Sequence, residues 1–127
     1  MIFIIGGSYQ GKREYAQNAF GLTASDVFLC TEETTEIDFS KRIIAGIEQF
    51  ALGCVKRGEE PKNYWVEHME TLQNSILISD DISCGVVPID ATTRAWREAS
   101  GRANNYLASE AVQVIRVFCG IGQVIKG

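Results

Sequence analysis

The stretch that most constrains this chain is Gly6-Gly7-Ser8-Tyr9-Gln10-Gly11-Lys12-Arg13, which has the spacing G-x-x-x-x-G-K. Residues 2–5 before it are an unbroken apolar run, which is typical of a buried strand in a parallel sheet. Residues 12–20 after it carry helix-forming residues with apolar positions at helical spacing. A glycine loop between a strand and a helix is the context in which this spacing binds phosphate.

The loop predicts a nucleotide site because backbone N–H groups and the dipole of the following helix favour negative charge. Lys12 is expected to reach the terminal phosphates. The next residue would ordinarily be Ser or Thr, whose hydroxyl binds Mg²⁺, but here it is Arg13. A guanidinium has no acceptor, so Arg13 can supply charge but not metal coordination. We therefore predict that the phosphates of a nucleotide bind here, with a weaker case for Mg²⁺, at Gly6, Gly7, Ser8, Tyr9, Gln10, Gly11, Lys12 and Arg13. The alternative is a strand that ends in glycines and binds nothing.

Strand-like and helix-like stretches alternate along the rest of the chain. Strands are predicted at residues 26–31, 75–79 and 111–118, helices at 38–57 and 89–109, a short helix around Trp65, Met69 and Leu72, and a turn with an edge strand at the end. The helix at 89–109 is expected to bury Ala95, Ala99, Ala103 and Leu107. The alternation predicts one three-layer α/β domain over residues 1–127, with a mostly parallel sheet.

Composition narrows the class of partner. The net charge of −4 and the pI near 5.0 argue against a nucleic-acid surface. The four cysteines form no C-x-x-C pair and lie among apolar residues, so we predict buried free thiols and neither disulfides nor a zinc site. No basic stretch precedes the first apolar run, and no apolar run approaches the length of a membrane span. We therefore expect a cytoplasmic protein.

Asp80 and Asp81 directly follow the apolar stretch at 75–79. Ligands of an open parallel sheet lie at the carboxyl ends of its strands, so this pair is expected to converge with the glycine loop. Carboxylates there bind Mg²⁺ or orient the attacking group in phosphoryl transfer. Successive strand residues point to opposite faces, so only one of the two should face the site. We predict catalytic roles for Lys12, Asp80 and Asp81, with Asp81 as metal ligand; a helix cap or turn is the alternative for the pair.

Three further motifs lie in the second half of the chain: G-V-V-P at 85–88, G-R-A-N at 101–104 and G-I-G at 120–122. With the glycine loop, they resemble the adenosylcobinamide kinase/adenosylcobinamide-phosphate guanylyltransferase family over residues 1–20 and 76–127. The resemblance implies a P-loop-type fold, phosphorylation of a cobinamide hydroxyl by ATP or GTP, and transfer of GMP to that phosphate through a histidine-linked intermediate. It also implies a corrinoid substrate and a homo-oligomer. Arg94 and Arg102 become candidate phosphate or substrate contacts, although a solvated, salt-bridged helix face is the alternative.

The chain departs from the family pattern in three ways. Arg13 replaces the loop hydroxyl, and Asp81 in D-D-I-S stands where the family usually has Glu in N-E-V-G. The family's R-I-x-x-H segment, which carries the guanylylated histidine, could match only residues 42–46, and no histidine is there. His68 is the sole histidine of the chain, and we expect it to be a half-exposed surface residue. Without a nucleophile the covalent GMP route has no first step, so guanylyl transfer is expected to be lost.

Three functions remain open at this point. The first is a cobinamide kinase of cobalamin biosynthesis that lacks guanylyl transfer. The second is a catalytically reduced nucleotide-binding or regulatory module of the same fold. The third is a structural protein with a relic loop, which the intact G-x-x-x-x-G-K spacing disfavours.

Overall fold

The structure, a computed structural model, describes residues 1–82 and 90–127. Within them lie six strands: β1 (Ile2–Gly6), β2 (Val27–Leu29), β3 (Ile43–Ala45), β4 (Ile76–Asp80), β5 (Gln113–Phe118) and β6 (Ile121–Lys126). They form one sheet in the order β2-β3-β4-β1-β5-β6. The pairs among β1 to β5 are parallel, and β6 pairs antiparallel with β5 at the edge. The carboxyl ends of β1 to β5 therefore meet at one edge of the sheet.

Four α-helices cover the sheet: α1 (Lys12–Phe20), α2 (Ile47–Lys56), α3 (Pro61–Glu67) and α4 (Ala91–Glu110). Alternate strand residues point to opposite faces, and each face carries its own core. On one face Phe3 and Leu77 pack with residues of α2, α3 and α4, such as Trp65 and Leu107. On the other face the strands pack against α1. The predicted three-layer α/β fold with a mostly parallel sheet is confirmed.

One predicted element is wrong. Residues 38–57 are not a single helix, because the chain forms β3 and then α2, with Gly46 between them. Gly46 has φ of 72°, and a Cβ there would lie 2.9 Å from the Cys30 carbonyl oxygen. An ordinary side chain could not take this left-handed turn so close to the neighbouring backbone.

The other predicted elements agree with the structure apart from their ends. The strand predicted at 26–31 is the shorter β2, and the short helix around Trp65 is α3 followed by a 3₁₀ turn at Thr71–Asn74. Helix α4 begins at Ala91, so residue 89 of the predicted helix lies outside the described residues. Ala99, Ala103 and Leu107 are buried, whereas Ala95 is half-buried. No helix among the described residues is long and apolar enough to cross a membrane.

The cysteine prediction is correct at two positions. Cys30 and Cys54 are buried free thiols, and burial raises the pKa of Cys30 to about 12. The prediction is wrong for Cys119, which is a free thiol but exposed. Cys119 lies in the turn between β5 and β6 with φ of 52°, so its backbone leaves the sheet there. Cys84 and the G-V-V-P motif lie outside the described residues.

Candidate functional site

The glycine loop joins the end of β1 to the start of α1, at the centre of the carboxyl edge. Gly11 is the residue before α1 and adopts φ of 81°, and no side chain caps this helix start. A Cβ on Gly6 would overlap the Val117 carbonyl oxygen, so packing against β5 requires glycine at the first loop position. Tyr9 is fully exposed at the loop, also with positive φ. Uncapped N–H groups at a helix start form a favourable site for an anion.

Lys12 lies at the centre of this arrangement. Its side chain is only 7% exposed, and its ammonium is 2.6 Å from Asp80 Oδ1 and donates to the Gly7 carbonyl oxygen over 2.6 Å. Ser8 Oγ donates to the second oxygen, Asp80 Oδ2, at 3.0 Å. A buried ammonium is costly without a negative partner, so Asp80 offsets the burial of Lys12. The predicted convergence of the loop with the end of β4 is therefore present.

A cleft of about 510 Å³ opens beside Lys12. It lies where β2, β3 and β4 end, along the same edge as the loop. Its lining combines the loop and α1 start with residues from those three strands and from α2: Ser8, Tyr9, Gln10, Gly11, Lys12, Arg13, Glu14, Leu29, Ala45, Gly46, Glu48, Ile78 and Asp80. A concave site with a few convergent polar groups is the usual form of a small-molecule site.

The turn between β5 and β6 braces the loop from the other side. The Gln10 carbonyl oxygen accepts from the Gly120 N–H at 2.8 Å, and Gln10 Oε1 accepts from the Cys119 N–H at 2.7 Å. Gly122 faces Tyr15 of α1 so closely that a Cβ would overlap the tyrosine ring. The G-I-G motif at 120–122 therefore packs against the glycine loop and against helix α1.

Glu48 is a site residue that the sequence reasoning missed. It lies in the first turn of α2 and lines the cleft, with only 7% of its surface exposed. Its Oε1 accepts from the Asp80 N–H at 2.9 Å, and its carbonyl oxygen accepts from Trp96 Nε1 at 2.7 Å. Burial raises the pKa of Glu48, and the hydrogen bond from the Asp80 backbone opposes that rise. The sequence does contain a signal for it, because Glu48 lies two residues after Gly46, which directly follows the apolar residues 43–45.

The structure brings only some of the predicted site residues together. Arg13 is exposed at the cleft. Among the described residues, Asp81, Arg94 and Arg102 are not part of the cleft lining. The Asp81 N–H donates to the Gly6 carbonyl oxygen at 2.8 Å, which fixes the chain as it leaves β4. Arg102 instead binds both carboxylate oxygens of Glu60, at 3.1 and 3.0 Å, on the surface.

The described residues around the cleft include few potential metal ligands. The described residues contain no group of three or more His, Cys, Asp or Glu side chains that could hold a metal ion. Asp80 already accepts from Lys12 and Ser8, and Arg13 has no acceptor to offer. Proteins usually bind Mg²⁺ through one or two carboxylates together with substrate phosphates. A Mg²⁺ ion at this cleft would therefore need ligands from a bound phosphate group in addition to the described side chains.

His68 lies away from the cleft. It is half-buried, as expected, and its ring stacks on Phe39 and Tyr64 with centroid distances of 5.5 and 4.1 Å. Its Nδ1 lies 2.8 Å from the Tyr64 carbonyl oxygen and donates to it. The segment that follows His68 runs into the start of β4. That end of β4 pairs with the start of β1, at the edge of the sheet opposite the glycine loop. Residues 42–46, which match the family's histidine segment, form β3 and its flanks.

Comparison with known proteins finds one matching family profile, cobinamide kinase / cobinamide phosphate guanyltransferase (CobU), over residues 55–125. The match spans more than half of the chain but leaves out the glycine loop. Two relatives are the bifunctional adenosylcobalamin biosynthesis proteins CobU of Escherichia coli (strain K12) and Salmonella typhimurium (strain LT2). Each is 37% identical over 51 residues, a stretch that covers 40% of this chain and 28% of the relative.

Proposed function

Because this chain belongs to the cobinamide kinase / cobinamide phosphate guanyltransferase family, we propose that it is a nucleotide-dependent, cobinamide kinase-like protein of cobalamin biosynthesis. The observation that carries the proposal is the buried Lys12 ammonium, held between Asp80 and the Gly7 carbonyl at a glycine loop. Only 28% of each relative's length aligns with this chain, so the activity is inferred from the site as well as from the family.

The proposed ligand of the loop is the triphosphate of ATP or GTP. Its oxygens would give Lys12 a second anionic partner, beside Asp80. The uncapped start of α1 adds backbone N–H donors, and its dipole favours the same negative charge. Arg13, exposed at the cleft, adds a second cation where a hydroxyl would normally bind the metal.

The proposed reaction transfers the terminal phosphoryl group to a cobinamide hydroxyl. Phosphoryl transfer depends mainly on positioning and on stabilising charge in the transition state. Lys12 supplies that charge next to the transferring group, and Asp80 fixes the ammonium. Asp81 is the proposed Mg²⁺ ligand, and Arg94 and Arg102 are the proposed contacts with phosphate or substrate.

We propose that histidine-linked guanylyl transfer is absent. Residues 42–46 hold no histidine, and His68 stacks on Phe39 and Tyr64, away from the cleft. The covalent route needs a nucleophile beside the nucleotide phosphates. In this proposal, the protein therefore performs only the kinase step.

A catalytically reduced nucleotide-binding or regulatory module is the second candidate. Arg13 favours it, because the loop has lost the hydroxyl that coordinates the metal of active enzymes. In either case we propose a cytoplasmic homo-oligomer. The strand β6 supports an oligomer, since it has a neighbour on one side only within the part of the chain that the structure describes and carries the exposed apolar residues Ile121, Val124 and Ile125.

Calorimetric titration with ATP and GTP, with and without Mg²⁺, tests the loop. Lys12→Ala should weaken triphosphate binding at least tenfold, because the motif places its ammonium on the phosphates. Lys62→Ala, which removes an exposed lysine of α3, serves as the matched control. An unchanged Kd in Lys12→Ala would refute the phosphate-loop assignment. Transfer of labelled γ-phosphate to cobinamide by the wild-type protein then separates the kinase from the binding module.

A further inference from the structure

The Glu48 carboxyl group is buried and is compensated by backbone N–H groups, not by a side-chain cation of the described residues. It is 7% exposed, and among the described residues no cation lies within ion-pair distance of it. Burying a carboxylate without a paired cation is costly. Burial also raises its pKa, and perturbed carboxylates in clefts are frequent at functional sites. The position of this acid therefore calls for a role in the cleft.

Asp80 connects Glu48 to the phosphate end of the cleft. The Asp80 side chain holds Lys12, while the Asp80 backbone N–H donates to Glu48 Oε1. Apart from Glu48 and Asp80, the part of the cleft formed by the strands and α2 is lined by small or apolar residues, namely Leu29, Ala45, Gly46 and Ile78. In phosphoryl transfer the attacking and leaving oxygens lie roughly in line on opposite sides of the phosphorus. An acceptor that occupies the cleft beyond Asp80 therefore meets Glu48 as it approaches the phosphate held by Lys12.

We propose that Glu48 is the catalytic residue that orients the acceptor hydroxyl and takes its proton; this rests on the proposed kinase function. The hydroxyl oxygen forms a bond to the γ-phosphorus while the bond from that phosphorus to the β–γ bridging oxygen breaks. The bridging oxygen keeps the electron pair and leaves with the nucleoside diphosphate, with Lys12 stabilising its charge. The hydroxyl proton passes to the Glu48 carboxylate and then to water after the product leaves.

If Glu48 had a purely structural role, Glu48→Gln would leave the rate of phosphate transfer unchanged. This variant therefore separates a catalytic role from a structural one. The amide oxygen of glutamine can still accept from the Asp80 N–H, and the bond from Trp96 goes to the backbone. We expect the melting temperature and the nucleotide Kd to remain close to wild type. The kcat for phosphate transfer to cobinamide should fall about 100-fold or more, with little change in the KM for cobinamide. Glu67→Gln, an exposed glutamate at the end of α3, is the matched control.

A Glu48→Gln protein that transfers phosphate within about threefold of the wild-type rate would overturn the inference. If this variant does not fold, Glu48→Asp replaces it, because the shorter side chain keeps the charge but withdraws the carboxylate. We then expect at least a tenfold loss of kcat at an unchanged nucleotide Kd, since such small misplacements are costly in catalysis. Full activity of Glu48→Asp would overturn the inference. A wild-type protein that binds nucleotide but transfers no phosphate would overturn both this inference and the proposed kinase function.

Discussion

The contact between Gly122 and Tyr15 gives a sharp test of the packing around the loop. A Cβ at Gly122 would overlap Cζ, Cε2 and Oη of the Tyr15 ring. Ordinary carbon contacts are about 3.5–4.0 Å, so the ring would have to retreat by more than about 1 Å. Overpacking of this kind costs about 1–3 kcal/mol. For Gly122→Ala we take the middle of that range, about 2 kcal/mol, because Tyr15 is half-buried and can move partly into solvent.

A double-mutant cycle with Tyr15→Ala isolates this effect. Without the ring, the new methyl group has space, and alanine replaces a glycine in a strand interior, where glycine costs roughly 0.5–1 kcal/mol. Gly122→Ala should therefore destabilise the wild type and slightly stabilise the Tyr15→Ala protein. Urea denaturation measures all four free energies of unfolding, and the coupling energy should be about 2.5–3 kcal/mol. Gly101→Ala is the matched control, because a Cβ there meets nothing within 4 Å.

Additivity of the two substitutions would refute this reasoning. It would mean that the β6 strand is not packed on α1 as the structure has it. Gly101 lies in helix α4 with open space around it, so Gly101→Ala should stabilise the protein. If Gly122→Ala also stabilised the wild-type protein, the same conclusion would follow.

Two further predictions concern reactive groups. In a Cys84→Ser background, native protein at pH 8 should react quickly with iodoacetamide at Cys119 alone, because Cys30 and Cys54 are buried and burial raises the pKa of both thiols. Mass spectrometry counts the labelled thiols, and rapid labelling of all three would contradict the buried positions. Incubation with labelled GTP should leave no covalent GMP adduct, because His68 lies away from the cleft; an adduct that survives denaturation and disappears in His68→Ala would show that this histidine does accept GMP.

The sequence predicted the fold, and the convergence of the glycine loop with the end of β4, for a clear physical reason. The glycine loop and the Asp80-Asp81 pair each follow an apolar strand, and parallel strands place their carboxyl ends at one edge. The contact of Lys12 with Asp80 follows from that rule. The side-chain alternation of strands also predicted that only one of the two aspartates would face the loop, and in the structure Asp80 lines the cleft while Asp81 does not.

The errors arise where local pattern does not determine structure. Ile43, Ile47, Phe50 and Cys54 fit one helix face, yet a short apolar run such as 43–45 suits a buried strand equally well. The left-handed conformation of Gly46 separates β3 from α2, and the adjacent Cys30 backbone leaves no room for a Cβ there. Glu48 was missed for a related reason, since its importance comes from tertiary burial beside Asp80. An acid in the first turn of a helix is otherwise an ordinary surface residue.

The brace between the loop and the β5–β6 turn has a consequence for the order in which the molecule assembles. Gln10 and Cys119 are 109 residues apart in sequence, so the bond between them closes almost the whole chain. Contacts of such long range form late, because the entropy of closing the intervening chain must be overcome first. A growing polypeptide on the ribosome would carry its glycine loop for most of synthesis without this brace. We therefore expect nucleotide affinity to be among the last properties that the folding chain acquires.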